Sequence, residues 1–156
     1  MKTAATFLVI LVAAHVSARP TSAEQRNACQ VLTRGDLAAV QGEAFAGTKH
    51  SSRGITSQCF YQLPSFVNSV SLDLTRNGRE LWLENFDPEH PERKKHPPLA
   101  VKGIGDEAYW VGGHMTGSLY VRKGDSVLRV SVGGKGSEEE KIAKSKSLAK
   151  KALKRL

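Results

Sequence analysis

The feature that most limits the fold of this chain is a strict alternation of apolar and polar side chains in two separate segments. Residues 67–75 read VNSVSLDLT and residues 126–132 read SVLRVSV, with an apolar side chain at every second position of each alternating run. Successive side chains of a strand point to opposite faces, so this period of two predicts strands with one buried face. Both segments therefore predict an antiparallel sheet whose apolar face must be covered.

Further strands are predicted where aromatic and β-branched residues cluster. These segments are residues 57–63, 106–111 and 118–123. Gly124 and Asp125 separate the last of them from the alternating segment that follows, and a two-residue Gly-Asp connection is typical of a hairpin. Residues 43–54 are compatible with either a loop or a weak strand. The sheet is therefore expected to have about five strands.

Two helices have clear start signals. Thr33 is a predicted N-cap with Asp36 three residues later, and Gly42 is a natural end for that helix. Ser137 and Glu140 form the same kind of capping box at the start of a C-terminal helix. Between them, a helix beginning near Asn77 is expected, with a strand over residues 81–83 as the alternative.

The order of these elements predicts the fold class. A helix, two strands, a helix, three strands and a final helix indicate an α+β protein with an antiparallel sheet. We expect residues 19–156 to form a single domain with the helices packed on one face of the sheet. Residues 87–98 (DPEHPERKKHPP) interrupt the chain with four of its six prolines. This segment is expected to be a solvated, Pro-rich loop.

The N-terminus has the pattern of a secretory signal peptide, predicted to span residues 1–18. Lys2 precedes an apolar run over residues 4–16, and Val16-Ser17-Ala18 ends in the short side chains that a signal peptidase recognises. The run is shorter than the roughly 20 residues of a spanning helix, so no transmembrane segment is predicted. The protein is therefore expected to be exported, either periplasmic or secreted.

The chain contains two cysteines, Cys29 and Cys59. Exported proteins fold in an oxidising compartment, where pairing of two cysteines is the simplest expectation. A nucleophilic cysteine would need a free thiolate and would leave the other thiol unexplained. We therefore predict a Cys29–Cys59 disulfide.

A set of short motifs resembles an uncharacterised family of small exported bacterial proteins, similar to exported lipoproteins that carry a domain of unknown function. The motifs are Ala28-Cys-Gln-Val-Leu-Thr33, Gln58-Cys-Phe-Tyr61, Gly103-Ile-Gly-Asp-Glu-Ala-Tyr-Trp110, Gly117-Ser-Leu-Tyr-Val121 and, at the C-terminus, Lys144-Ser-Lys-Ser-Leu-Ala149 with Lys154-Arg-Leu156. The resemblance covers nearly all of the chain after the signal peptide. It implies export, one domain and a paired Cys29 and Cys59, and it supplies no catalytic residue. The chain departs from the lipoproteins in having no cysteine at the cleavage point.

The sequence predicts no catalytic residue, metal ligand or cofactor. The histidines show no metal-binding spacing, and no Gly-x-Ser-x-Gly elbow is present. Asp106 and Glu107 are adjacent, so a strand directs their carboxylates to opposite faces. We therefore expect a non-enzymatic binding module or a structural module of the cell envelope. An unrecognised hydrolase is the second alternative.

A candidate binding face lies on the side of the sheet away from the predicted core. It comprises Tyr120, Arg122 and Arg129, joined by either Tyr109 or Trp110. Tyrosine, tryptophan and arginine are enriched in protein interfaces, so an unknown protein or envelope component is the expected partner. The alternative is an ordinary exposed sheet whose side chains pair across strands.

A candidate basic patch lies on the C-terminal helix. Lys146, Lys150 and Lys154 are four residues apart and share one helix face. Such a face can associate weakly with an anionic surface, and this patch gives the first alternative function, binding of an anionic envelope polymer or lipid. A solvated face on a helix that packs on the core is the simpler interpretation. No nucleic-acid partner is predicted.

Overall fold

The computed structural model describes residues 27–87, 89, 97–112 and 117–156. The predicted signal peptide and most of the Pro-rich segment lie outside these residues. The described part of the chain contains three α-helices: α1 (Arg34–Gln41), α2 (Arg79–Phe86) and α3 (Glu138–Leu153). None of its helices is long and apolar enough to cross a membrane.

The strands form one antiparallel sheet. They are β1 (Gly47–Arg53), β2 (Thr56–Gln62), β3 (Val70–Thr75), β4 (Leu99–Ala100), β5 (Glu107–Gly112), β6 (Gly117–Lys123) and β7 (Ser126–Val132). Their order across the sheet is β1-β2-β3-β7-β6-β5-β4. The predicted α+β class and antiparallel sheet are therefore confirmed, but the sheet has seven described strands instead of about five. The two additional strands, β1 and β4, lie at its edges.

The ladder between β3 and β7 lies at the centre of the sheet and defines its two faces. On the inner face, Leu72 lies opposite Val130 and Leu74 lies opposite Leu128. These four side chains are at most 2% exposed. The intervening side chains of both strands point to the outer face, as the period of two requires.

The core lies between the inner face and two helices. α3 packs against β6, β7 and α1. Its buried side chains include Leu148, Ala149 and Ala152. Both predicted capping boxes are present, at Thr33 for α1 and at Ser137 for α3. These caps satisfy backbone N–H groups that would otherwise lack partners at the first helical turn.

α2 lies on the outer face of the sheet, so the expectation that all helices cover one face is wrong. Trp82 of α2 is buried against Tyr109 of β5, with ring centroids 5.7 Å apart. Thr75 and Val127, which point to the outer face, are buried at the same end of the sheet. The helix was predicted correctly over the alternative strand, but its side of the sheet was not. Apolar side chains at this end of the outer face must also be removed from water, and α2 covers them.

The predicted disulfide is confirmed. Cys29 and Cys59 are bonded, with their Cα atoms 5.0 Å apart, and the bond joins the short 3-10 helix Ala28–Gln30 to β2. Two hydrogen bonds reinforce this junction: Tyr61 Oη donates to the Ala28 carbonyl at 2.6 Å, and the Ala28 N–H donates to Ser57 Oγ at 2.9 Å. The N-terminal segment is thereby fixed to the sheet before α1 begins.

Asp36 connects the start of α1 to the end of α3. Its carboxylate accepts hydrogen bonds from the Thr33 backbone and hydroxyl, and it forms ion pairs with Arg155 at 2.8 Å and Lys151 at 3.3 Å. Burial raises the pKa of this carboxyl, but the hydrogen bonds from Thr33, Arg155 and Lys151 outweigh burial and lower it from 3.8 to about 2.

Replacement of both Cys29 and Cys59 by alanine is expected to lower the free energy of unfolding by about 3–4 kcal/mol. The bond closes a loop with a sequence separation of 30 residues, and its loss restores that conformational freedom to the unfolded chain. Urea denaturation of the double variant measures the difference. Equal stability of the variant and the parent protein would contradict this account of the junction.

The Asp36→Asn variant is expected to remove a pH-dependent part of the stability. Because the pKa of Asp36 is lower in the folded protein than in the unfolded chain, its contribution is present at neutral pH and is lost as pH falls through the folded value. Between about pH 5 and about pH 2, the parent protein should lose about 2 kcal/mol more than the variant. Denaturation curves of both proteins across this pH range measure the difference. The control is Glu84→Gln, which removes a carboxylate from the exposed surface of α2.

Candidate functional site

The candidate site is the part of the outer face that α2 leaves open. α2 covers the end of the sheet where β3 finishes, whereas no element of the described residues covers the end where β3 begins. A groove of about 930 Å³ occupies this free end. We call it the outer-face groove and define it by Phe60, Phe66, Val67, Ser71, Val111, Ser118, Arg129, Ser131, Lys135 and Lys141.

Apolar side chains line much of the groove. Phe60 projects from β2, and its ring centroid lies 5.8 Å from that of Phe66 in the connection to β3. Phe66 is 66% exposed and its neighbour Val67 is 72% exposed. Val111 of β5 completes the apolar lining on the other side of the sheet centre. Contiguous exposed apolar side chains of this kind are typical of contact surfaces.

The polar floor of the groove is built from the central strands. Arg129 of β7 donates from Nη1 to Asp73 Oδ2 at 2.7 Å and from Nε to Ser118 Oγ at 3.2 Å. Ser118 Oγ lies 2.5 Å from Ser131 Oγ. Asp73 and Arg129 are direct cross-strand partners, so the sheet register itself places this ion pair. Backbone ladders hold the floor in position before any ligand arrives.

Arg129 also separates the groove from a smaller cavity beneath α2. That cavity has a volume of about 320 Å³ and is lined by Asp73, Trp82 and Tyr120 together with Arg129. Only two of the five N–H groups of Arg129 are used in the contacts with Asp73 and Ser118. The guanidinium can therefore hold the sheet residues in place and still offer donors to a ligand.

The predicted binding face is divided by the structure. Tyr109 and Tyr120 do point to the outer face, but α2 covers them: the ring centroid of Phe86 lies 5.2 Å from each. Trp82 Nε1 donates to Glu107 Oε2 at 2.8 Å at the same cluster. These tyrosines therefore hold α2 on the sheet, and neither lines the outer-face groove.

Trp110 lies on the inner face, which corrects its assignment to the binding face. It is 2% exposed and belongs to the core. Its indole occupies space that side chains at Gly112 and Gly117 would fill, since a Cβ at Gly117 would lie 2.1 Å from the ring. Tyr109 and Trp110 are neighbours on one strand, so one of the two had to point inward. The glycine pair makes room on the inner side for the larger ring.

Arg122 lies at the far end of the sheet from the groove. It forms ion pairs with Asp106 and Glu107, each at 3.5 Å. The Gly124 N–H donates to Asp106 Oδ2 at 2.7 Å, and this hydrogen bond is the main cause that lowers the pKa of Asp106. Arg122 therefore braces the β6–β7 turn. Of the five predicted face residues, Arg129 is the one that lines the outer-face groove.

The predicted basic patch is also divided. Lys146 Nζ donates to the Lys102 carbonyl and is half-buried. Lys150 and Lys154 are exposed, and neither forms an ion pair with a residue that the structure describes. Their neighbours Lys151 and Arg155 are paired with Asp36. The exposed patch is thus two lysines, and neither lines the groove.

Sequence reasoning missed most of the groove. Phe60, Val67 and Val111 fall within predicted strands and Phe66 directly precedes one, so the sequence pattern predicts no functional role for them. The structure places Phe66 and Val67 in the 3-10 helix Phe66–Asn68, so β3 begins at Val70 and not at the predicted residue 67. The available signal is Pro64-Ser65 directly before them, because such a pair favours a turn. Within the described residues, no group of three or more His, Cys, Asp or Glu side chains is placed to hold a metal ion.

Comparisons with protein-family models, curated proteins and solved structures found no match to this chain.

The Tyr120→Ala variant is expected to lower the free energy of unfolding by about 2 kcal/mol, because it removes the ring that supports Phe86 of α2. The Tyr120→Phe variant keeps the ring and should match the parent protein. A double-mutant cycle with Phe86→Ala should give a coupling of about 1 kcal/mol. Additive losses measured by urea denaturation would show that α2 does not depend on this contact.

Proposed function

We propose that this protein is an exported, non-enzymatic binding module that holds its partner in the outer-face groove. The observation that carries the proposal is an open cavity of about 930 Å³ beside the exposed side chains of Phe66 and Val67. Binding cavities have volumes of about 300–1,000 Å³ and combine an apolar lining with a few placed polar groups. The outer-face groove has both properties.

The rigidity of the floor supports this proposal. Ser71, Ser118, Arg129 and Ser131 belong to β3, β6 and β7, which are the three central strands of the sheet. Their backbone positions are fixed by ladders on both sides, so little conformational entropy is lost on binding. A site on central strands is also held more precisely than a site on loops.

A second candidate function rests on Lys150 and Lys154. Lys150 is exposed on α3 and Lys154 is exposed at its C-cap, and both lack an acidic partner among the described residues. Together they favour weak association with an anionic envelope polymer or lipid. Such association weakens steeply as salt rises, because exposed charges are screened within about 10 Å at 0.1 M ionic strength. Apolar contacts in the groove do not weaken in this way.

The test is capture of components from an envelope extract by the parent protein and by variants. Replacement of Phe66 and Val67 by serine removes the exposed apolar lining and should abolish capture at both low and high salt. Leu83→Ser is the matched control, because Leu83 is 58% exposed on α2 and lies outside the groove. Its capture should equal that of the parent protein.

A different pattern would favour the basic patch. If capture disappears at high salt, survives in the Phe66 and Val67 variant, and is lost in Lys150→Glu with Lys154→Glu, then the groove is not the binding site. Near-ultraviolet circular dichroism establishes that each variant is folded.

A further inference from the structure

We propose that the occupant of the outer-face groove is a single-chain amphiphile with an anionic head group, bound as a monomer. This inference rests on the proposed function, since it names the class of ligand for the same groove. It follows from two properties of the lining, its apolar surface and the sign of its charges.

The apolar surface fits an alkyl chain. Phe60 and Val111 project from strands on opposite sides of the central ladder, and Phe66 and Val67 flank the opening. Phe60, Phe66 and Val67 form one apolar side of the groove, whereas Val111 lies on the far side, beyond the hydroxyls of the polar floor. Burial of alkyl groups against this apolar side is favourable by about 0.8 kcal/mol for each CH₂ removed from water. A short chain therefore gains enough from burial to bind without any covalent bond.

The charged side chains that line the groove favour a ligand with an anionic head group. The charged side chains that line the groove are Arg129, Lys135 and Lys141, and no acidic side chain lines it among the described residues. Asp73 neutralises part of the charge of Arg129 from the adjoining cavity. Lys135 is exposed, and it forms no ion pair with any residue that the structure describes. An anion in this groove therefore meets a basic lining, whereas a cation would be repelled.

The hydroxyl groups of the floor provide further partners for an anion. Ser71 and Ser131 face each other across the β3–β7 ladder, on the same side as Arg129. Serine hydroxyls can donate to a carboxylate, and a hydrogen bond to a charged acceptor is stronger than one between neutral groups. A head group near these hydroxyls leaves its chain free to lie toward the aromatic pair of Phe60 and Phe66.

A monomer fits better than a membrane surface. Phe66 and Val67 are exposed enough to touch a bilayer, but Phe60 is partly buried and Val111 lies on the sheet itself. A flat surface that met the exposed pair would leave the rest of the groove unfilled. A single amphiphile can place its head group over the polar floor and its chain against Phe60, Phe66 and Val67.

The experiment is calorimetric titration of the full mature protein with dodecanoate below its micelle-forming concentration. The neutral monododecanoyl glycerol and the cationic dodecyltrimethylammonium serve as probes with the same or nearly the same chain. We expect dodecanoate to bind about tenfold more tightly than the neutral probe, a difference that corresponds to about 1.4 kcal/mol. The cationic probe should not bind.

The variants assign the binding to the groove. Lys135→Glu should weaken dodecanoate binding by about tenfold while leaving the neutral probe unchanged. Replacement of Phe66 and Val67 by serine should weaken both probes. Lys150→Glu makes the same charge change outside the groove and should leave both affinities unchanged.

Three results would overturn the inference. These are equal affinity for the anionic and neutral probes, unchanged dodecanoate affinity in Lys135→Glu, and binding to anionic phospholipid vesicles without binding to monomeric dodecanoate. If the probes fail but the Phe66 and Val67 variant still loses capture from the extract, the ligand class is wrong and the groove remains the binding site. If neither the probes nor capture depends on these residues, the proposed function is wrong as well.

Discussion

The pairing of β3 with β7 determines both the core and the candidate site. In this ladder Leu72 lies opposite Val130 on the inner face, and Asp73 lies opposite Arg129 on the outer face. A shift of β7 by one residue would turn its side chains to the other face, placing Arg129 in the core and Leu128 and Val130 on the outer face. The large free energy of burying the apolar set therefore fixes the register. The position of Arg129 in the groove follows from that register.

The second constraint is the partial cover that α2 gives to the outer face. Its Trp82 and Phe86 pack on Tyr109 and Tyr120, so the aromatic end of the face becomes a second, smaller core. No described part of the chain covers the other end, which contains the groove. The ion pair of Asp73 and Arg129 stands at the boundary between these two regions, and it contributes to the lining of the smaller cavity as well. The outer face therefore contributes to the stability of the fold at the end beneath α2 and forms a cavity at the opposite end.

Much of the fold could be predicted because its signals are local. The alternation in β3 and β7 and the capping boxes at Thr33 and Ser137 depend on residues that are near in sequence. The edge strands have no such signal: residues 43–54 are compatible with either a loop or a weak strand, and no pattern predicts β4. Every residue of β1 is exposed, so it carries no alternation, and β4 has two residues, too few for any period. Their formation depends on pairing with a neighbour that is already in place, which sequence pattern alone does not reveal.

The candidate site was less predictable because charge and residue type do not specify partners. The C-terminal helix has the densest run of lysines, yet Lys151 and Arg155 are used to neutralise Asp36 and stabilise the contact between α1 and α3. Lys135 stands alone among glycines and carries no motif, but it lines a cavity to which no acidic side chain of the described residues contributes. The electrostatic contribution of a basic residue to binding depends on what surrounds it, since a paired charge attracts a ligand far less than an unpaired one. The isolated lysine is for this reason the better indicator of an anionic ligand than the lysine-rich helix.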